Sequence, residues 1–212
     1  MPATTPPPAP GRGQAPRLWG LLAALLVVPL AEGSRPMTAT AGAGVALPPV
    51  AQLTAIDAYN RGVDQARAGN LRGALALYTT AISLNPGLIE AWYNRGLVKD
   101  KLGDPAGAVA DFDRALAIRP RPSAARTAEI HVNRGVARRQ LGDQQGALAD
   151  VNAALALDPR NAIAWNNRGR LMALMGNWDA ACRDFRQAAA LGNTTTTQYL
   201  NSSAGAWCRN RP

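Results

Sequence analysis

Few side chains in this 212-residue protein are of types that could carry out chemistry. The single histidine is His131, and the two cysteines are Cys182 and Cys208. One imidazole and two thiols without a Cys-x-x-Cys pair do not form the ligand set of a zinc site. No serine or cysteine lies in a nucleophile motif, and no glycine loop has the spacing of a phosphate cradle. The sequence therefore predicts a protein that is not an enzyme, with no metal, no cofactor and no small-molecule substrate.

Asparagine recurs in a way that favours binding rather than catalysis. The tripeptide Asn-Arg-Gly occurs four times, and its glycines are separated by 34, 39 and 34 residues. A side-chain amide offers a donor and an acceptor together, so a row of amides can pair with the backbone of an extended peptide. The recurring asparagines are Asn60, Asn94, Asn133 and Asn167.

The surrounding residues repeat with the same period and explain how such a row could be positioned. After each Asn-Arg-Gly glycine come a second glycine followed by Asn or Asp, an alanine, a bulky apolar residue, another alanine and, in three of four copies, a proline. Small residues let two helices approach closely, and the bulky residue fills the remaining space. The second glycine suits a left-handed helix end, and the following Asn or Asp suits a helix N-cap. The pattern predicts pairs of helices, of which the first three end at a proline.

This order of residues resembles the tetratricopeptide-repeat family over roughly residues 55–192. The resemblance implies an all-α, right-handed α-solenoid of four helix–turn–helix repeats and a C-terminal capping helix with a tail, residues 194–212. The four repeats are predicted at residues 55–88, 89–122, 128–161 and 162–193.

In this family the first helices of successive repeats line a concave groove that usually holds a peptide. The resemblance therefore implies that the four asparagines bind an extended segment of another protein, helped by residues on the same helical stripes: Tyr59, Tyr93, Asn166, Arg139 and Arg170. Two alternatives stay open. The asparagines would instead cap or hydrogen-bond within their own repeats, or the protein would be an architectural subunit that uses its convex face. A chaperone-type carboxylate clamp is not expected, because Lys99 and Lys101 are the only lysines.

Charged residues also recur with the repeat and are expected to form structural ion pairs. In three repeats the arginine before the glycine is matched by an aspartate on the second helix, which predicts the ion pairs Arg95–Asp111, Arg134–Asp150 and Arg168–Asp184. His131 takes the place of an aromatic residue in the template and is predicted to be packed in the core. The formal net charge of +9 comes without any lysine–arginine run or aromatic stripe, so no nucleic-acid partner is expected.

Two segments depart from the template. The spacing of 39 residues places five extra residues around 119–123, which predicts a longer, stiffer connection or a basic proline-rich contact. After Asn193 the pattern weakens, and Thr194 or Thr195 is expected to cap a final helix.

The N-terminal residues predict export. A start containing Arg12 and Arg17 precedes an apolar run at 18–31 and an Ala-x-Ala site ending at Ala41. We read residues 1–41 as a signal peptide and 42–54 as a flexible linker. If the signal is not cleaved, it anchors a membrane-tethered assembly factor; otherwise the protein is periplasmic or secreted, without membrane contact. In an exported protein Cys182 and Cys208 are expected to form a disulfide, and the alternatives are free thiols or a redox pair.

Overall fold

The computed structural model describes residues 54–209, with side chains through residue 208, and this part of the protein is built from helices without a β-strand. The predicted all-α fold is confirmed. Eight helices follow one another in pairs: α1 Ala55–Arg67, α2 Leu71–Leu84, α3 Ile89–Lys101, α4 Pro105–Ala117, α5 Ala124–Gln140, α6 Gln144–Leu157, α7 Ala162–Leu174 and α8 Trp178–Ala190. A shorter helix α9 (Thr194–Asn201), a 3-10 turn (Ser203–Gly205) and α10 (Ala206–Arg209) complete the described residues.

The pairs stack into an α-solenoid. Each first helix packs against the second helix of its own repeat, and each second helix packs against the first helix of the next repeat. First helices of consecutive repeats also contact one another, α3 with α5 and α5 with α7. We call the surface formed along α1, α3, α5 and α7 the first-helix face.

The glycine of each Asn-Arg-Gly motif allows the two helices of a repeat to come close together. A Cβ atom on Gly96 would lie 2.7 Å from Cε1 of the Phe112 ring. Phe112 is fully buried, so the ring is enclosed by other protein atoms. Contacts as close as this occur at Gly62 and Gly169, whereas the smaller Val151 leaves more room at Gly135. The predicted close approach of the paired helices is confirmed.

The turn within each pair also follows the prediction. Gly103 adopts φ +84°, a left-handed conformation that L-residues disfavour, and its three equivalents do the same. Asp104 then caps α4 by accepting a hydrogen bond from the Gly107 N–H at 2.8 Å. The same arrangement recurs in the other repeats and satisfies an otherwise unpaired N–H at each helix start.

The extra residues between repeats two and three mainly lengthen a helix. Helix α5 has 17 residues, whereas α1, α3 and α7 have 13 each. It begins early because the Ser123 side chain accepts a hydrogen bond from the Arg126 N–H at 3.2 Å, capping an additional turn. The connection before it, residues 118–123, is only slightly longer than its counterparts 85–88 and 158–161. The expectation of a long connection was therefore correct only in small part.

The C-terminal helices cover the end of the last repeat. The N-cap of α9 is Asn193, whose Oδ1 accepts from the Thr196 N–H at 2.9 Å, so the prediction that Thr194 or Thr195 caps this helix was wrong. Cys182 on α8 and Cys208 on α10 form a disulfide with an S–S distance of 2.06 Å.

The predicted signal peptide and nearly all of the predicted linker lie outside the described residues. Within residues 54–209, no helix has the length and apolar character needed to cross a membrane.

Candidate peptide-binding face

The asparagine row lies where neighbouring first helices meet. Asn94 on α3 donates from Nδ2 to the Tyr59 hydroxyl on α1 at 3.0 Å, and Asn133 on α5 donates to the Tyr93 hydroxyl on α3 at 3.0 Å. Asn133 also donates to the Glu129 carbonyl at 2.9 Å, which occupies its second N–H. Both amides are nearly buried, with exposed fractions of 3% and 7%. They therefore hold adjacent repeats together, a role that neither sequence-based alternative had foreseen, while the bond from Asn133 to Glu129 lies within repeat three, as one alternative expected.

The oxygen atoms of these two amides differ from the nitrogen atoms, because they make no hydrogen bond within the described residues. Within residues 54–208, Oδ1 of Asn94 and Oδ1 of Asn133 receive no hydrogen bond, and neither is among the fully buried polar atoms. Each can therefore accept a hydrogen bond from an N–H group that approaches the first-helix face.

Asn167 differs from the other two asparagines. Repeats one and two have a tyrosine at the position that faces the next asparagine, but repeat three has Val132 there. Asn167 is therefore not offered a tyrosine hydroxyl. Asn167 is only 3% exposed, and within the described residues both its Nδ2 and its Oδ1 are buried without a hydrogen-bond partner. Buried amide groups are rarely left in this state, because the lost hydration costs about 1–3 kcal/mol. Asn60, the first member of the row, is half-buried on α1.

Tyr59 and Tyr93 lie beneath the asparagines. Their exposed fractions are 2% and 3%, and their rings pack against Tyr78 and Phe112 with centroid separations of 5.9 Å in each case. Burial, followed by the negative charge of Glu129, raises the pKa of Tyr93 to about 12. These rings therefore offer little surface to a ligand. In the structure they position the amides through their hydroxyl groups, and a direct contact with a peptide stays a prediction.

The additional turn of α5 covers part of this region. The Arg126 guanidinium lies 4.9 Å from the centroid of the Tyr93 ring and forms an ion pair with Glu129. The cap Ser123 and the two alanines that follow it were the sequence signal for this turn, but the pattern gave no indication that it would reach Tyr93.

At the last repeat, Asn166 connects the row to the capping helix. Its Oδ1 accepts a hydrogen bond from the Thr196 hydroxyl on α9 at 2.9 Å. Thr196 is buried, so α9 extends the first-helix face beyond α7. Nearby, Tyr199 stacks edge-on against Phe185 and accepts a hydrogen bond from the Trp207 indole at 2.9 Å.

Three charged residues lie on the same face, and burial disfavours the charge of each. Arg139 and Arg170 are half-buried, and burial lowers the pKa of both guanidiniums. The charge of Arg139 also contributes to lowering the pKa of Arg170, to about 10. Burial raises the pKa of Asp100, against the effects of a hydrogen bond from Gln140 and the charge of Arg139. The face therefore carries one partly desolvated anion and two partly desolvated cations.

The predicted arginine–aspartate pairs lie between the paired helices of repeats two to four, and all three are confirmed. Arg95 contacts Asp111 through Nε and a terminal nitrogen at 2.8 and 2.7 Å, and Arg168 contacts Asp184 through the same atoms at 2.8 Å each. Arg134 pairs with Asp150 in repeat three. The aspartates are 2–4% exposed, so these charges are structural and do not contribute to a binding patch.

The arginines also connect neighbouring repeats. The remaining guanidinium nitrogen of Arg95 donates to Thr79 at 3.2 Å, and that of Arg168 donates to Asn152 at 3.2 Å. Arg134 reaches Asp113 in the equivalent position. Each acceptor belongs to the second helix of the preceding repeat, so one arginine ties three helices together.

His131 joins this network. Its Nδ1 lies 2.9 Å from Oδ1 of Asp150, and its side chain is 19% exposed. The prediction of a packed core residue is therefore incomplete, because the ring makes a polar contact. The Trp residues at the same position in repeats two and four instead donate to the preceding proline carbonyls and stack under Arg95 and Arg168.

These features define a helical-repeat protein with a polar first-helix face and no catalytic grouping among the described residues. The sequence matches two tetratricopeptide-repeat family models, a "Tetratricopeptide repeat" model over residues 65–133 and a "TPR repeat" model over residues 135–176. The chain belongs to the tetratricopeptide-repeat family. No curated protein matches it in sequence.

Solved structures with the same fold are distant in sequence. A crystal structure of the MamA protein is 19% identical, with a TM-score of 0.60 over 73% of this chain and 85% of that one. MamA residues 41 to the end from Desulfovibrio magneticus RS-1 are 18% identical, with a TM-score of 0.60 over 68% of this chain and 78% of that one. The first tetratricopeptide domain of Spaghetti (RPAP3), bound to the HSP90 peptide SRMEEVD, is 23% identical, with a TM-score of 0.54 over 58% of this chain and 94% of that one.

Proposed function

We propose that this protein is an interaction scaffold or chaperone-like adaptor that binds an extended peptide segment of another exported or envelope protein along its first-helix face. The observation that carries the proposal is the asparagine row at the helix seams, and above all Asn167, whose buried amide has no partner within the described residues. A peptide backbone unit has one donor and one acceptor, the complement of one such amide.

Asn94 and Asn133 support the same mode of peptide binding, but only as hydrogen-bond acceptors. Asn94 and Asn133 use Nδ2 to hold the neighbouring repeat, so they would meet a peptide through Oδ1, accepting from its N–H groups. Hydrogen bonds to the main chain grip a peptide with little sequence preference, and side chains on the same stripes would then set the choice of ligand. The similarity to the Spaghetti domain, which is bound to a peptide, agrees with this use of the fold.

The export part of the proposal rests on the N-terminal sequence and on the Cys182–Cys208 disulfide, because disulfides persist mainly outside the cytosol. The prediction that the protein is not an enzyme is retained, since this family typically serves protein interaction.

The test is crosslinked capture from the source cell with the full chain and three variants. Asn167→Ala is the sharpest variant, because it removes no internal hydrogen bond, and the Asn94→Ala, Asn133→Ala, Asn167→Ala triple variant removes the row. Asn152→Ala is the matched control, an exposed asparagine on a second helix whose replacement removes only the hydrogen bond from Arg168. Circular dichroism establishes that each variant is folded.

We expect partners captured by the wild type and by Asn152→Ala to be lost in Asn167→Ala and in the triple variant. Partners that persist in both would assign binding to another surface, such as the convex face of an architectural subunit.

A further inference from the structure

Arg139 on α5 and Arg170 on α7 lie on helices that contact each other, near enough for their charges to interact, and among the described residues neither guanidinium contacts an anion. Within residues 54–208, neither has a hydrogen bond or a close ion pair. This contrasts with Arg95, Arg134 and Arg168, each of which has a buried aspartate. Two like charges placed together and partly removed from water are unfavourable unless an anion joins them.

A second observation points to a ligand next to this arginine pair (Arg139 and Arg170). Asn167, the buried amide without a partner, lies three residues before Arg170 on α7, so the two share one stripe of the helix. Asp100 on α3 acts on Arg139 only at longer range, and its own Oδ1 is buried without a hydrogen bond within the described residues. Asp100 therefore offsets the charge of Arg139 only in part, and among the described residues the charge of Arg170 is favoured only by the longer-range electrostatic effect of Tyr199.

We propose that the arginine pair binds the side-chain carboxylate of an aspartate or glutamate within the partner peptide, and that this contact determines which segment the first-helix face selects. The inference rests on the proposed function, because it specifies the chemistry of the peptide held there. A carboxylate suits the site because guanidiniums form strong, paired hydrogen bonds with it.

An internal side chain fits the geometry better than a chain terminus. Arg170 lies about one helical turn, roughly 5 Å, beyond Asn167 along the helix axis. A peptide whose backbone contacts Asn167 would reach Arg170 with a side chain, while its backbone continued past the site towards Asn133 on one side and α9 on the other. A terminal carboxylate at the same place would require the backbone to leave the asparagine row.

The test begins with a display selection of random peptides on the full chain. Selected sequences are then synthesised with an acetylated N-terminus and either an amidated or a free C-terminus. A further set has each Asp or Glu replaced by its amide. Dissociation constants are measured by fluorescence anisotropy for the wild type, Arg139→Gln, Arg170→Gln and Asp100→Asn. Thermal unfolding controls for folding. Because neither arginine has an internal partner, we expect both arginine variants to remain folded.

We expect one peptide Glu→Gln or Asp→Asn change to weaken binding about tenfold to a hundredfold, the range for a charge-assisted hydrogen bond. Arg139→Gln and Arg170→Gln should weaken binding to a similar extent and make that peptide change nearly silent. Asp100→Asn should act in the opposite direction and tighten binding severalfold, because it removes an anion that competes for Arg139.

Three outcomes would overturn the inference, and only the third would also overturn the proposed function. Peptides that bind the asparagine row without any acidic dependence would exclude the carboxylate contact and keep the proposed function. Dependence on the free C-terminus alone would exclude the side-chain source. Failure to select any peptide would overturn the proposed function itself and this inference with it.

Discussion

Removing the charge of Asp150 tests whether the buried arginine–aspartate contacts stabilise the fold, because this carboxylate is contacted by three basic side chains. Asp150 is 2% exposed and accepts hydrogen bonds from Arg134 and, at 2.8 Å, from Arg138. Its Oδ1 lies 2.9 Å from Nδ1 of His131. Burial alone would raise its pKa, but the contacts with His131 and Arg134 and the charge of Arg138 together hold that pKa below the ordinary value.

The expected cost of Asp150→Asn follows from the partners that remain. Breaking a buried ion pair from one side typically costs about 3–5 kcal/mol. The lower end applies here, because Arg134 retains Asp113, Arg138 retains Asp143 at 3.9 Å, and the two guanidiniums keep 15% and 25% exposure. We therefore expect a loss of about 3 kcal/mol in the free energy of unfolding, measured by urea denaturation followed by circular dichroism.

Two equivalent substitutions provide the matched controls. Asp111 pairs with Arg95 and Lys99, and Asp184 pairs with Arg168 alone. The loss should therefore decrease in the order Asp150→Asn, Asp111→Asn, Asp184→Asn. Since repeats at different places in a solenoid contribute unequally, an Arg138→Gln, Asp150→Asn double-mutant cycle isolates one contact within repeat three. A loss for Asp150→Asn no greater than that for Asp184→Asn, with no coupling in the cycle, would contradict this prediction.

Three further predictions use the same unfolding assay. From about pH 4 downward, acid should reduce the stability of the wild type more than that of Asp150→Asn. The pKa of Asp150 is lowered in the folded state, so its contribution to stability is lost as the pH falls through that pKa. Parallel pH profiles for the two proteins would contradict this. Gly96→Ala should cost about 1–3 kcal/mol, because its Cβ would lie 2.7 Å from the Phe112 ring, and a cost near zero would show that the ring can shift. Replacing Cys182 and Cys208 by serine should cost about 3 kcal/mol, with lost hydrogen-exchange protection confined to the last repeat and its cap; unchanged protection there would contradict a stapling role.

The parts of the fold that were predictable are those that repeat. Gly96, Asp104 and Phe112 each perform a local task that recurs at the same offset in other repeats, so the sequence displays the constraint several times. The Arg–Asp pairs were predictable for the same reason, since both partners keep their offsets in three copies.

The features that were missed depend on a single copy or on contacts between repeats. The extra turn of α5 arises from Ser123 and occurs once. The hydrogen bonds from Asn94 to Tyr59 and from Asn133 to Tyr93 join residues in different repeats, and their existence depends on how far one pair is rotated against the next. A template describes one repeat and contains no information about that rotation. For the same reason the special position of Asn167, which follows from Val132 in the preceding repeat, was visible only in the structure.

The most direct test of the central claim, that the asparagine row binds a peptide, is NMR of the isotopically labelled full chain during titration with a display-selected peptide. We expect the side-chain amide signals of Asn167 to shift most, those of Asn94 and Asn133 to shift less, and backbone signals from α3, α5 and α7 to move with them. Shifts confined to the second helices, with the Asn167 side-chain amide unchanged at saturation, would contradict it.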